Sequence, residues 1–258
     1  MDYAIGIDIG STCAKTAVLA ADGSFALLSA RPTGWSSVDT AESIRAELEA
    51  AHFSPETYPC VATGYGRVAV PYAGKSVTEI TCHARGACFL HGRDDLLVID
   101  IGGQDTKVIG VSGGAVQDFL MNDKCSAGTG RFLEVMANTL GLRPDDMCDL
   151  ARQGGGVSIS SMCTVFAESE VISLIGKGEK KENIAFAVVD SIVKKVASQA
   201  SRLEKGGPVC LTGGLCESDY IRQALGEQLH TQVQAVAEGR YAGAVGAALC
   251  ARDLMRKG

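Results

Sequence analysis

One short pattern occurs twice in this chain and constrains its fold more than any other feature. The letters IDIG at residues 7–10 are followed by Lys15, and the same letters at residues 99–102 are followed by Lys107, with seven residues from Asp to Lys in both copies. Each copy reads as an apolar strand, a tight turn and a second apolar strand. A repeated unit of this kind indicates an internal duplication. We therefore predict an α/β fold with two similar lobes that face each other.

The two turns contain the residue types of a phosphate site. Glycines let the backbone approach a phosphate, an acid at a strand end can hold Mg²⁺ through water, and a lysine can neutralise phosphate charge. A single D-x-G is more often an ordinary turn, but two copies and a further glycine pair after a predicted strand favour nucleotide binding. The candidate residues are Asp8, Gly10, Ser11, Thr12, Cys13 and Lys15, then Asp100, Gly102, Gly103 and Gln104, and finally Gly213 and Gly214.

Two cysteines each come just before a helix pattern. Cys125 precedes the glycine-rich segment 128–130, and Cys163 precedes a second helix at about 164–175. Unpaired N–H groups and the positive dipole end at a helix start favour anionic ligands such as thiolate-bound metal. No C-x-x-C is present to complete four ligands within one chain, so a two-fold dimer would be needed to supply four thiolates. A [4Fe–4S] cluster and a zinc ion both fit that number, and two buried cysteines are the simpler alternative.

The helix after Cys163 places a carboxylate on an apolar stripe. Glu168 shares a helical face with Val165, Ile172 and Ile175. Burying a carboxylate without a partner is costly. Glu168 either orients water or Mg²⁺, or lies at the edge of the stripe, and the sequence leaves both open.

Charge and composition restrict the class of protein. A net charge of −6 argues against a general nucleic-acid or membrane surface, and no apolar run approaches the length of a membrane span or a signal sequence. We expect a cytoplasmic protein in which most of the ten cysteines are reduced and buried. We expect an N-terminal lobe at 1–95 and a C-terminal lobe with both candidate metal ligands at 96–258, with the C-terminal helix packed back onto the first lobe.

Seven segments together resemble one family. They are IGIDIGSTCAKTAVL, ATGYGR, VIDIGGQDTKVI, MNDKCSAGTGRFLEVMA, ISSMCTVFAESEVIS, LTGG and YAGAVGAAL, and they run from residue 5 to residue 249. The sequence resembles the ATP-dependent activators of 2-hydroxyacyl-CoA dehydratases and benzoyl-CoA reductases, a group that includes reductases of double-cubane-cluster proteins. This group belongs to the ASKHA superfamily of ATPases, with actin, heat-shock chaperones and sugar kinases, whose two ribonuclease-H-like lobes have a nucleotide cleft between them.

The resemblance implies a homodimer with one bridging [4Fe–4S] cluster, held by Cys125 and Cys163 of each chain. It implies that ATP and Mg²⁺ bind at the two turns and at Gly213 and Gly214. ATP hydrolysis would drive one electron to a partner iron–sulfur enzyme, either a dehydratase or a double-cubane-cluster protein, and a ferredoxin or flavodoxin would supply that electron. The residues that would carry the catalysis are Asp8, Lys15, Asp100, Gln104 and Glu168.

Two other functions remain as alternatives. The first is a small-molecule kinase of the same superfamily, similar to a pantothenate kinase. A kinase needs a base to deprotonate an alcohol, whereas Gly103 and Gln104 are better suited to orienting water, and Cys125 and Cys163 would have no role. The second is a zinc-bridged dimer that binds ATP as a signal, which metal analysis would separate from an iron–sulfur protein.

Overall fold

Ten strands and eight helices make up the described residues of the computed structural model, which are 2–160, 163–204 and 206–255. The strands are β1 (Tyr3–Ile9), β2 (Cys13–Ala20), β3 (Phe25–Pro32), β4 (Cys60–Thr63), β5 (Lys75–Ser76), β6 (Leu96–Ile101), β7 (Thr106–Ser112), β8 (Ala115–Asn122), β9 (Val209–Gly213) and β10 (Val233–Gln234). The helices are α1 (Ser37–Ala50), α2 (Glu79–His91), α3 (Gly130–Thr139), α4 (Pro144–Ala151), α5 (Thr164–Gly176), α6 (Lys181–Ala200), α7 (Asp219–Leu229) and α8 (Ala242–Met255).

The strands form two five-stranded sheets that correspond strand by strand. One sheet has the order β3-β2-β1-β4-β5, and the other, read from the matching edge, has the order β8-β7-β6-β9-β10. In the first sheet β1 pairs antiparallel with β2 and parallel with β4; in the second β6 pairs parallel with β9. The two copies of IDIG end the central strands β1 and β6. The predicted duplication is thus confirmed at the level of topology.

The chain divides into two compact units, each with its own sheet. The first contains residues up to 96, residues 111–117 and residues from 236 onward; the second contains 97–110 and 118–235. Among the described residues, no helix combines the length and the apolar character needed to cross a bilayer.

In the first unit, helix α8 packs backbone against backbone on its neighbours. A Cβ at Gly6 of β1 would lie 2.0 Å from the carbonyl oxygen of Ala244, and a Cβ at Gly246 would lie 1.8 Å from that of Cys82 in α2. Only glycine allows such an approach, which explains the small-residue composition of α8. The other side of the sheet is covered by α1, whose Ile44 and Leu48 lie in a core cluster with the isoleucines of β1.

In the second unit, α6 is the central helix of the core. The periodicity predicts a buried stripe on this helix, and Ile184, Val188, Ile192 and Val196 are all buried within it. Helices α3, α4, α5 and α7 contribute to the same apolar cluster, together with β6 and β9.

The apolar pattern of the sequence does not predict two of the elements, strand β8 and helix α4. Strand β8 is mostly exposed, and the apolar residues of its sequence AVQDFLMN do not show the alternation by which strands are recognised. Helix α4 is short, but Pro144 at its first turn followed by Asp145 and Asp146 is a helix-start signal that the sequence does contain.

The close contact at Gly246 generates a stability prediction. Gly246→Ala places a methyl group where the Cys82 carbonyl lies, so α8 must shift, and we expect the free energy of unfolding to fall by about 1–3 kcal/mol. The measurement is urea unfolding followed by circular dichroism. Gly74→Ala is the matched control in the same unit, because a Cβ there lies at an ordinary 3.7 Å from its nearest neighbour. Equal stability of both variants would contradict the tight packing of α8 on α2.

Candidate functional site

The first turn joins β1 to β2, and Thr33, the residue after β3, forms hydrogen bonds with it. The Gly10 N–H donates to the Cys13 carbonyl at 3.2 Å and closes the turn. The Thr33 hydroxyl donates to the Gly10 carbonyl at 2.7 Å, and the Thr33 N–H donates to the Thr12 carbonyl at 3.0 Å. These hydrogen bonds fix the backbone conformation of the turn.

Asp8, at the end of β1, is buried with one carboxylate oxygen available. Its Oδ1 accepts no hydrogen bond from any described residue, although the side chain is only 3% exposed. A Cβ at Gly64 would lie 2.5 Å from Oδ1, and a Cβ at Gly243 would lie 2.4 Å from Oδ2, so glycine backbone surrounds the carboxylate. Lys15 is the residue opposite Asp8 on β2, is half-buried and makes no ion pair with a described residue. A buried acceptor without a donor indicates that a ligand, ion or water completes this place.

The second turn has the same backbone design. The Gly102 N–H donates to the Asp105 carbonyl at 2.9 Å, in the place of the Gly10 bond. A Cβ at Gly213 would lie 2.7 Å from Asp100 Oδ1 and 2.5 Å from the Ile101 carbonyl. Gly213 and Gly64 share a φ of +84°, which favours glycine at both strand ends. The Thr212 hydroxyl donates to Asp100 Oδ1 at 3.1 Å.

The lysines of the two turns have different environments. Lys107 is 1% exposed, and its Nζ lies 3.2 Å from Asp100 Oδ2 and 2.8 Å from Asp105 Oδ1. Buried charges are tolerated when they are paired in this way, and removing one partner is costly. Lys107 therefore stabilises the second turn by pairing with its two acids, whereas the ammonium group of Lys15 has no ion-pair partner among the described residues. Gln104, between these charges in sequence, is exposed.

Four residues that line the turns are absent from the sequence-based candidates: Thr33, Gly64, Asp105 and Gly243. A signal for Gly64 is present in the sequence. The pair Thr63-Gly64 follows an apolar strand, as Thr212-Gly213 does, so the duplication predicts it. Thr33 and Gly243 reach the turns through tertiary packing and have no local signal.

The two candidate metal ligands lie on adjoining segments of the second unit. Cys125 and Cys163 are both exposed. The residues that follow them, Ser126 and Thr164, have their hydroxyl oxygens 2.6 Å apart. The Asn122 amide donates to the Cys125 carbonyl at 2.8 Å, which fixes the loop before α3. Cys163 is the N-cap residue of α5; residues 161 and 162 before it lie outside the described part of the chain.

Helix α3 links the Cys125 loop to the second turn. The Gly130 N–H donates to the Gly102 carbonyl at 2.9 Å, and the Arg131 N–H donates to the Gly103 carbonyl at 2.7 Å. The Thr106 hydroxyl donates to the Gly128 carbonyl at 2.6 Å. The expectation of unpaired N–H groups at this helix start is therefore wrong for these two groups, because they satisfy the turn. The same bonds join a candidate nucleotide turn to residues 128–131, which follow the candidate metal ligand Cys125 in the chain.

The apolar stripe that contains Glu168 faces outward. Val165, Ile172 and Ile175 are exposed, and the buried positions of α5 are Ala167 and Val171. Glu168 is half-buried, and its Oε1 accepts a hydrogen bond from the Thr139 hydroxyl of α3 at 3.2 Å. The carboxylate thus lies at the boundary between the exposed and buried faces and ties α5 to α3.

A polar cavity of about 280 Å³ opens beside Gly214. Its other lining residues come from α4 and from the segment after β9, among them Asp145, Cys148, Asp149, Arg152 and Glu217. Burial raises the pKa of the Cys148 thiol to about 11, so this cysteine is a neutral wall of the cavity.

Solved structures show which fold this is. The ROK-family glucokinase of Streptomyces griseus, at 17% identity, aligns with a TM-score of 0.62 over 97% of this chain and 99% of its own. The activator of 2-hydroxyisocaproyl-CoA dehydratase from Clostridium difficile, solved with bound ADPNP, aligns with a TM-score of 0.91 at 35% identity over 99% of this chain and 96% of its own. The predicted actin, heat-shock-chaperone and sugar-kinase fold is confirmed.

Sequence comparison identifies the family. The (R)-2-hydroxyglutaryl-CoA dehydratase activating ATPase of Acidaminococcus fermentans is 43% identical over 252 residues, which is 96% of each chain. The crystal structure of component A of that dehydratase aligns with a TM-score of 0.93 at 41% identity over 99% of this chain and 100% of its own. The model of the BadF/BadG/BcrA/BcrD ATPase family matches residues 5–251. This chain is therefore a member of the BadF/BadG/BcrA/BcrD ATPase family.

Proposed function

We propose that this protein is an ATP-driven electron donor that activates a partner iron–sulfur enzyme. The observation that carries the proposal is the hydrogen-bonded connection from the turn at 102–103 through the start of α3 to the Cys125 loop. Through such a connection, a change in the position of the nucleotide turn can change the position of the Cys125 loop. The relatives support the partner class, since the protein from Acidaminococcus fermentans is named as a dehydratase activator.

In this proposal, residues of each turn take part in binding Mg-ATP. The Oδ1 of Asp8, which accepts no hydrogen bond from a described residue, suits a water of the Mg²⁺ shell. Asp100, whose oxygens already meet Thr212 and Lys107, keeps the second turn in place. The free ammonium group of Lys15 neutralises developing phosphate charge, and the exposed Gln104 orients the attacking water. Ser11, Thr12 and Cys13 offer backbone N–H groups at the first turn, and Gly103 does so at the second. Gly10 and Gly102 close the two turns with their own N–H groups and let the backbone approach the phosphates.

The nucleoside end of ATP occupies the cavity beside Gly214. The backbone at Gly213 lies close to the end of β6 at Ile101. Asp145 and Asp149 line the cavity and offer acceptors for ribose hydroxyls. The relative from Clostridium difficile, solved with ADPNP, supports a nucleotide in this fold. Glu168 lies on α5 and contacts α3, so we assign it to the connection between the cysteine segments and the nucleotide turn.

Cys125 and Cys163 hold a [4Fe–4S] cluster together with the same residues of a second copy. Each chain offers two exposed thiols on adjoining segments, and the cluster takes four thiolates. Next to Cys163, Val165 and Phe166 are about two-thirds exposed, which is unusual for large apolar side chains and suits burial against a second copy. A zinc ion would also accept four thiolates, so iron and sulfide content decides between the two. The cluster supplies one-electron chemistry when it is bound.

Movement of the second turn is transmitted to the cysteine loop in this mechanism. When ATP binds or its γ-phosphate leaves, a displacement of residues 102–103 carries the start of α3 and the Cys125 loop with it. The exposure and hydrogen bonding of a cluster set its potential, and about 59 mV is a tenfold change in a one-electron equilibrium. With the cluster held by Cys125 and Cys163, a ferredoxin or flavodoxin would supply the electron, and a 2-hydroxyacyl-CoA dehydratase or a double-cubane-cluster protein would receive it.

The kinase alternative receives no support from the geometry of the second turn. Asp100 and Asp105, the acids nearest Gln104 in sequence, both pair with the buried ammonium group of Lys107. A carboxylate held in this way is a poor base for an alcohol. The sugar-kinase neighbours share the fold, at 17% identity in the glucokinase case.

Substitution of either ligand cysteine tests the cluster. Cys125→Ser and Cys163→Ser each remove two of the four thiolates in a dimer, so we expect loss of nearly all iron and acid-labile sulfide and weakening of the dimer. Both are measured on protein purified without oxygen, together with its visible spectrum and its mass in solution. Cys88→Ser, at a half-buried position in the other unit, is the control and keeps full iron content. Full iron in a Cys125 or Cys163 variant would remove that residue as a ligand, and zinc in place of iron would favour the zinc-bridged dimer.

Substitution at the turns tests the nucleotide site. Lys15→Ala and Gln104→Ala are expected to lower ATP turnover by roughly 10²-fold, because each removes a preorganised polar group at the transition state. Iron content is expected to stay unchanged, since neither side chain is a thiolate ligand. Lys194→Ala is the control, because that lysine is exposed and pairs with Asp190 on its own helix. Turnover equal to that of the control would exclude the substituted residue from catalysis.

The connection itself is tested by Thr106→Val. This change keeps the shape of the side chain and removes the hydroxyl that donates to Gly128. We expect ATP turnover to be retained within about threefold, as the turn keeps its backbone bonds, while the difference in cluster potential with and without ATP shrinks. Thr16→Val, at a buried position of β2, is the control. An unchanged potential difference in Thr106→Val would rule out this route of coupling.

A further inference from the structure

Helices α2 and α8 contain a second pair of cysteines, which the nucleotide and metal proposals do not use. Cys82 lies in α2 and is fully buried, and Cys250 lies in α8 and is half-buried. Their thiols hydrogen-bond to each other. The two helices are held close at this point, since a Cβ on Gly246, one turn before Cys250, would lie 1.8 Å from the Cys82 carbonyl.

An arginine completes the environment of Cys250. The Arg85 Nη1 lies 3.2 Å from Cys250 Sγ, and its Nη2 lies 2.8 Å from Asp253 Oδ2. The titratable and charged groups that face the sulfur are therefore Cys82 and Arg85 from α2 and Asp253 from its own helix. Asp253 opposes a negative sulfur, but it also holds the guanidinium in place.

These groups favour a thiolate at Cys250. The hydrogen bond from Cys82, followed by the charge of Arg85, lowers the pKa of Cys250 to about 6, against the effect of burial. The pKa of Cys82 is raised by the same hydrogen bond and by burial. A thiolate next to a cation and a protonated thiol is the arrangement in which cysteines react as nucleophiles and are then resolved.

We propose that Cys250 is a modification site for small peroxides, with Cys82 as the resolving thiol. The Cys250 thiolate attacks one oxygen of hydrogen peroxide, and the O–O bond breaks. The sulfur becomes a sulfenic acid, and the departing hydroxide takes up one proton and leaves as water. The Cys82 thiol then attacks that sulfur and releases a second water, so two thiols and one peroxide give one disulfide and two waters. The disulfide joins α2 to α8, the helix whose Gly243 lies against the Asp8 carboxylate.

Cys88 provides an internal comparison on the same helix. It is half-buried like Cys250, but burial and the nearby Asp94 and Asp95 raise its pKa, and its sulfur has no hydrogen bond from an arginine within the described part of the chain. Cys82, Cys88 and Cys250 lie in separate tryptic peptides, 76–85, 86–93 and 241–252, so each is read independently.

The first experiment is pulsed alkylation of the full-length protein, purified without oxygen and with its metal bound. After a short exposure to iodoacetamide at pH 7, peptide masses give the rate at each cysteine. We expect Cys250 to react roughly tenfold faster than Cys88, because its thiolate fraction is larger while its lower basicity costs some intrinsic reactivity. Arg85→Gln should slow Cys250 and leave Cys88 unchanged, and Arg85→Lys should restore part of the rate. Equal rates for Cys250 and Cys88 in the unsubstituted protein would overturn the proposal without any variant.

The second experiment adds one equivalent of hydrogen peroxide before alkylation and digestion without reductant. The expected product is a cross-link between peptides 76–85 and 241–252. In Cys82→Ala the cross-link is lost, and dimedone instead labels a sulfenic acid at Cys250. A free Cys250 after peroxide, with oxidation at Cys88 instead, would refute the assignment. The visible spectrum records the cluster separately, so failure of the cluster proposal and failure of this one are distinguishable.

Discussion

Two hydrogen bonds from the start of α3 to the carbonyls of Gly102 and Gly103 hold the second turn and the Cys125 loop together as one piece. A helix start needs partners for its N–H groups, and a tight turn needs partners for its carbonyls, so each satisfies the other. The buried ion pairs of Lys107 with Asp100 and Asp105 keep the turn from collapsing or opening independently. The proposed coupling of nucleotide to metal depends on this joint.

The two halves of the duplication keep one backbone design and use it differently. Gly64 and Gly213 adopt the same left-handed conformation against the strand-end acids Asp8 and Asp100. In the second unit Lys107 neutralises the acid, and the cysteine segments build on the turn. In the first unit Asp8 keeps an oxygen without a protein donor, and Lys15 makes no ion pair within the described chain. In the proposal the first copy therefore serves binding, whereas the second serves both binding and transmission to the cysteine loop.

Much of the fold could be predicted from local pattern. The repeated IDIG, the apolar runs around it and the stripe of α6 each predict an element that is present, because core strands and long amphipathic helices show their periodicity directly. Strand β8 could not be recognised in this way, since the apolar residues of AVQDFLMN do not alternate with polar ones. The stripe with Glu168 shows the opposite limit: helical spacing identifies a face, but only packing decides whether that face, with Val165 and Ile172, is buried or outward.

By itself, the sequence determined the α/β class, the duplicated turns, the family and the two cysteines that stand out from the rest, because these follow from residue type and short spacing. The tertiary structure alone decided which charges and thiols meet. It gave Lys107 ion-pair partners and, among the described residues, none to Lys15; it also joined Ser126 to Thr164 and placed Arg85 between Cys250 and Asp253. Such contacts connect residues that are distant in the chain, and burial and helix packing set them, so no local pattern contains them.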